Sequence, residues 1–272
     1  KLKGYHGLHN QNQIIIIRID STMPAHEKRL TKRQRRVLRQ QGILDNENKL
    51  STVFQIDRNI KPMTENQRVA FESWGEGYNL MLHGIAGTGK TFLGLYFAIS
   101  EVMKQNSPHK KVFIVRSTVP TRDQGFMPGN QKQKEAVYEE PYYDIATKLF
   151  NRGDAYQILK QKQIVNFAST SYLRGCTFED CIIVVDEVQN MSAGELHTVM
   201  TRVGENSRII FCGDVKQDDL TSERKKEMSG LRDFMRIINN MREFDFIEFQ
   251  IGDIVRSKLV KSYIINRDKL GL

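Results

Sequence analysis

Between His83 and Thr91 the chain reads HGIAGTGKT, and Gly84–Thr91 fills the pattern G-x-x-x-x-G-K-[ST] at each fixed position. Gly84, Gly87 and Gly89 let the backbone turn tightly enough to aim N–H groups inward, and the peptide groups of Ile85, Ala86 and Thr88 complete a cradle for phosphate oxygens. Lys90 would reach the β- and γ-phosphates, while the Thr91 hydroxyl would ligate Mg²⁺. A glycine-rich turn with no such task needs no Lys-Thr at its end. The chemistry implied is that of a nucleoside triphosphate.

A phosphate cradle alone would serve a kinase, a switch or a motor, so the carboxylates must decide. IIVVDE, Ile182–Glu187, ends an apolar run with two adjacent acids. At that place Asp186 would hold Mg²⁺, and Glu187 would orient and deprotonate an attacking water. Gln189 follows two residues later, and GDVKQ, Gly213–Gln217, closes the next apolar run. Asp214 and Gln217 are placed either to sense the γ-phosphate or to act as ordinary turn residues, since Gly-Asp is a common turn.

These groups need elements to hold them. Tyr78–Leu82, Lys111–Arg116, Cys181–Glu187, Arg208–Asp214 and Phe244–Phe249 read as strands, several of them rich in branched residues, with a shorter one at Thr52–Ile56. Apolar spacing predicts helices at Met63–Trp74, Lys90–Met103, Ser192–Val203 and Ser229–Asn240, the first capped by a Thr-x-x-Gln sequence and ending near Gly75. Thr118–Lys134 reads as a long polar loop. Strands alternating with helices imply an α/β fold, a mainly parallel sheet with helices on both faces, in which strand ends share one crevice.

At 272 residues and 39% hydrophobic content the chain can bury a large core without staples. Its longest aliphatic run, Ile14–Ile17, stops at Arg18, so no membrane association is expected and a cytoplasmic location is. Cys176, Cys181 and Cys212 lack a metal-ligand spacing, and the strand reading puts Cys181 and Cys212 at opposite edges of the sheet, where a disulfide is not expected. The formal net charge of +9 is local, because Lys28–Arg39 holds seven basic residues and no acidic one. That stretch, with a helix near 31–41, could lay Lys28, Arg29, Lys32, Arg33, Arg35, Arg36 and Arg39 along a phosphate backbone, or present a solvated cationic face. A catalytic domain over 61–272 would then follow a short basic extension over 1–60.

Taken together, HGIAGTGKT, SYLRGCTFEDCIIVVDEVQN, TRVGENSRIIFCGDVKQDDL and GDIVRSKLV resemble the PhoH family of P-loop ATPases, including forms carried by bacteriophages, over roughly Lys61 to the C-terminus. The resemblance implies a RecA-like (ASCE) core related to the nucleotide-binding domain of superfamily 1 helicases, with ATP and Mg²⁺ as ligands and hydrolysis to ADP and phosphate. It assigns Gly84, Gly87, Gly89, Lys90 and Thr91 to Walker A, Asp186 and Glu187 to Walker B, and Gly213, Asp214 and Gln217 to the following motif. Gln67 is similar to the glutamine that superfamily 1 helicases place on adenine. RNA or single-stranded DNA is the implied partner, and an ATP-dependent regulatory or assembly switch without motor activity is the alternative.

Two departures shape the expectations. Residues 1–60 are too short for the nuclease domain some relatives carry and hold only Asp20, Asp45, Asp57, Glu27 and Glu47, so nuclease activity is not carried over. There is also no room for a second RecA-like domain to supply an arginine to the γ-phosphate. A ring assembly, such as a hexamer, would supply that arginine in trans, with Arg256 the first candidate, Arg202 the second, and Arg116 and Arg174 also in family-like motifs.

Overall fold

The computed structural model describes residues 54–57, 60–117, 131–173, 175, 177–214 and 229–270. The basic stretch Lys28–Arg39, the first two residues of the strand read at Thr52–Ile56, and Arg174, Cys176 and Gln217 lie outside the described residues. The chain divides between Ile56 and Asp57, and the elements below belong to the second unit.

Six strands form one sheet: β1 (Asn79–Gly84), β2 (Lys111–Arg116), β3 (Val165–Ser169), β4 (Cys181–Asp186), β5 (Arg208–Cys212) and β6 (Phe244–Phe249). Their order is β3-β2-β4-β5-β1-β6, and each pairing is parallel. β5 thus separates the strand that leads into the glycine loop from the strand that ends in the acid pair, and the domain is a RecA-like P-loop NTPase fold. β4 is buried at all six positions, which explains why it reads as an unbroken apolar run.

Alternate residues of these strands feed two cores. Met81, Ile183, Val185, Ile209 and Phe211 join α5 (Ala193–Met200) and α6 (Ser229–Asn239) through Leu196, Val199, Phe234 and Ile238. On the other face α2 (Lys90–Val102) approaches so closely that a Cβ on Gly94 would lie 3.4 Å from Val184 and 3.5 Å from Ile210. Beside it α1 (Glu65–Glu76) stacks Trp74 on Phe97. α1 begins at the Thr64 cap as read, but Gly75 lies inside it; the stop is Gly77, whose φ of +100° suits the left-handed C-cap.

Three helices depart from the sequence reading. α3 (Gln131–Phe150) begins inside the stretch read as loop, and α4 (Ala155–Gln161) packs against it; α7 (Lys258–Lys269) ends the described chain. The cysteine expectation needs correction: Cys181 and Cys212 are free and lie on the adjacent central strands β4 and β5, at opposite ends rather than at opposite sheet edges.

Candidate functional site

Because the strands are parallel, the residues that follow each of them meet at one end of the sheet. At the end of β1 the chain turns at Gly84 with φ +109°, where a Cβ would sit 2.1 Å from the Phe249 carbonyl oxygen of β6. Ile85 donates to that same carbonyl at 2.9 Å, pinning the start of the loop to the neighbouring strand. Gly87 and Gly89 have φ of +79° and +90°, conformations that only glycine adopts cheaply. Gly89 is the N-cap of α2 and offers no side-chain cap, so the first-turn N–H groups of a 13-residue helix are left for an anion. Backbone and helix together fit a phosphate chain.

Lys90 supplies the charge. It is 5% exposed, and its Nζ donates to the carbonyl oxygens of Ile85 at 2.6 Å and Gly84 at 3.3 Å and to Thr88 Oγ1 at 3.3 Å. It also pairs with Asp214 Oδ1 at 2.8 Å, across from the end of β5. The ammonium therefore rests inside the loop on protein oxygens that phosphate oxygens would replace.

The Thr91 hydroxyl donates to Asp186 Oδ1 at 2.7 Å, and the Tyr142 hydroxyl of α3 donates to Asp186 Oδ2 at 3.0 Å. Burial raises the Asp186 pKa despite these donors and the nearby Arg116 guanidinium. A hydroxyl and a carboxylate converging at one point are hard oxygen donors suited to Mg²⁺, which takes its remaining ligands from phosphates and water. No cluster of three or more His, Cys, Asp or Glu able to hold a metal occurs among the described residues.

Glu187 leaves the strand in the left-handed region, φ +56° and ψ +46°, which turns its side chain out of the alternation of β4. Burial raises its pKa, the Asp186 charge raises it further, and Arg116, whose Nη2 lies 4.0 Å from Glu187 Oε1, opposes both. Gln189 Nε2 donates to Glu187 Oε2, while its Oε1 accepts from the Asp214 backbone N–H at 3.1 Å. Gly213 makes room for this bridge, since a Cβ there would fall 2.3 Å from Val188 Cγ2 and 2.9 Å from Gln189 Oε1. A continuous chain of contacts runs from Lys90 through Asp214 and Gln189 to Glu187.

With this geometry in place, comparison with known proteins gives a consistent answer. Residues 59–266 match the family described as PhoH-like protein. A PhoH-like protein of Bacillus subtilis (strain 168) is 32% identical over 187 residues, 68% of this chain and 57% of the relative. Protein PhoH of Escherichia coli (strain K12) is 32% identical over 181 residues, 65% of this chain and 49% of its own length. The chain belongs to the PhoH family. It spans about half the length of the curated PhoH relatives it matches. Among solved structures, the large terminase of a thermophilic bacteriophage aligns with a TM-score of 0.45 and 11% identity, over 75% of this chain and 50% of that one.

The PhoH domain brings Gly84, Gly87, Gly89, Lys90, Thr91, Asp186, Glu187 and Asp214 to one place. Gln67 also lies there, but its amide is engaged: Oε1 accepts from the Met63 N–H at 2.8 Å and Nε2 donates to the Thr88 carbonyl at 3.0 Å. It braces the loop, and it does not close the capping box read from the sequence. Arg256 lies against its own loop, with Cγ 3.1 Å and Nε 3.7 Å from a Cβ built on Gly87, while Val255 donates to the Gly87 carbonyl at 3.1 Å. Arg202 is remote from the site, beside Phe178 at the opposite end of the sheet. Sequence reasoning missed Tyr142, which sits in a helix it had not drawn, and the seating of Val255–Ile264 on the loop. No helix among the described residues is long and apolar enough to cross a membrane.

Proposed function

We propose that this PhoH-family chain binds ATP with Mg²⁺ and hydrolyses it to ADP and phosphate, in the cytoplasm, coupled to RNA or single-stranded DNA. The observation that carries this reading is the convergence of Lys90, Thr91, Asp186 and Glu187 at the ends of β1 and β4. In this reading Lys90 exchanges its bond to Asp214 for phosphate oxygens, and the amides of Gly84–Thr91 hold the β-phosphate. Thr91 and Asp186 would hold Mg²⁺, which would supply positive charge against the negative charge that develops on the phosphates. Glu187 takes a proton from the attacking water as its oxygen bonds to the γ-phosphorus and the bond to ADP breaks. A burial-raised pKa makes this carboxylate a better base near neutral pH than an exposed glutamate.

The switch reading draws on the chain Lys90–Asp214–Gln189–Glu187, which would report loss of the γ-phosphate to the segment after β5. Assembly into a ring, with nucleic acid reached through Lys28–Arg39, belongs to the motor reading. Steady-state ATPase assays at low salt, with and without single-stranded RNA and DNA, separate the two. Stimulation by one polymer supports coupling, and equal turnover supports the switch. Glu187→Gln should retain ATP and lose about 10²–10⁴-fold in turnover, whereas Lys90→Ala should lose tight binding; normal turnover in both would sink the site.

A further inference from the structure

Asp186 is held from two sides, and only one of the holders belongs to the nucleotide loop. Its Oδ1 accepts from Thr91 at 2.7 Å; its Oδ2 accepts from the Tyr142 hydroxyl at 3.0 Å, in an environment where Tyr142 is 1% and Asp186 3% exposed. The Arg116 guanidinium comes from the end of β2, opposite Asp186 in the sheet register, and its charge acts on both Tyr142 and Asp186. Its Nη2 stands 4.0 Å from Glu187 Oε1.

A carboxylate bonded at one oxygen can still swing, because the terminal torsion of aspartate is broad. A donor on each oxygen fixes the plane and leaves each oxygen one lone pair in a set direction. The second donor is rigid. Tyr142, Ala146, Leu149 and Phe150 are buried along one side of α3, and the Tyr142 ring lies 6.1 Å from that of Phe167 on β3. We propose that Tyr142 is a positioning residue that orients Asp186 for the divalent cation and so sets the Mg²⁺ affinity of the nucleotide site. This rests on the nucleotide-site reading given above.

The fold supplies its own control. Tyr156 on α4 is 2% exposed and donates to a buried carboxylate as well, Glu139 of α3, at 3.0 Å. That carboxylate is closed off by Lys160 at 2.6 Å and 2.9 Å, and among the described residues it is not bonded to Asp186. Tyr156→Phe therefore removes a comparable buried bond without touching Asp186.

Isothermal titration of ADP, in excess Mg²⁺ and in EDTA, on the wild-type chain, Tyr142→Phe and Tyr156→Phe measures the gain that Mg²⁺ brings. The wild type and Tyr156→Phe should show the full gain. Tyr142→Phe should lose on the order of tenfold of it, the scale seen when an outer partner of a metal ligand is removed, with metal-free ADP binding unchanged. An unchanged gain in Tyr142→Phe overturns the proposal, as does an equal loss with and without Mg²⁺. If the wild type itself gains nothing from Mg²⁺, the site reading falls and takes the proposal with it.

Discussion

Asp186 and Glu187 are neighbours in sequence with different burdens. Asp186 is buried at the end of an apolar strand, where loss of hydration outweighs its hydroxyl donors and raises its pKa. The sign for stability follows. A carboxyl with a folded pKa above its unfolded value contributes most below the unfolded pKa, and that contribution is lost as pH rises through the folded one. Asp186→Asn should thus raise the thermal midpoint of the nucleotide-free chain at neutral pH in EDTA, and the gain should shrink as pH falls through the Asp186 pKa. A lower midpoint at neutral pH would show that Thr91 and Tyr142 favour the charge more than burial opposes it. Gly213 is a second test at this scale. Alanine there would press on Val188 and on the Gln189 carbonyl, so urea denaturation should show a loss of about 1–3 kcal/mol, the range for an overpacked core. The glycine loop and the acid pair were legible because their residues are contiguous. The Gln189 bridge was not, since it depends on which way a side-chain amide points across two loops.

Elements were legible in proportion to how completely they are buried. β1, β4 and β5 are covered on both faces and read as apolar runs, whereas β3, an edge strand with the sequence VNFAS, gives a half-polar signal. α7 buries no residue and exposes Leu259 and Tyr263, so its apolar residues mark no core face. α3 hides for another reason. It starts in a run of glutamines and lysines and carries Pro141 inside, which costs a backbone bond and reads as a break. The cap of α5 was hidden in plain residues too. Ser192 Oγ accepts from the Glu195 N–H at 3.3 Å, and Glu195 Oε2 accepts from the Ser192 N–H at 2.8 Å. Glu195 Oε1 further accepts from Ser117 at 2.9 Å and from Thr170, tying α5 to the ends of β2 and β3. Ser192→Ala should cost about 1 kcal/mol in urea denaturation, the usual worth of a cap. Glu195→Ala should cost more, because it also removes the bonds from Ser117 and Thr170. Equal losses would mean that the bonds to Ser117 and Thr170 add nothing.

Over the whole molecule, the parallel sheet divides labour between its ends. The end that starts the strands is structural: Arg208 lies 3.3 Å over the Trp74 ring and donates to the Trp74 and Tyr78 carbonyls, and burial lowers its pKa to about 10. The end that finishes them holds the candidate nucleotide site, and there the position of Arg256 bears on the proposed assembly. A finger acting across a subunit boundary was the expectation from the sequence. The structure instead puts Arg256 on the loop of its own chain, exposed and beside Gly87, with no carboxylate paired to it among the described residues. An arginine placed there is within reach of its own phosphate loop, so a role in cis stands beside the role in trans. Arg256→Ala should therefore lower turnover, by about 10³-fold or more if the guanidinium meets the γ-phosphate in the transition state. Mixing Arg256→Ala with Lys90→Ala distinguishes the two geometries. A finger in trans would let a Lys90→Ala subunit lend its arginine to an intact loop next door, and the mixture would exceed the sum of its parts. An arginine acting in cis predicts simple addition at every mixing ratio, so any excess over the sum would return Arg256 to the subunit boundary.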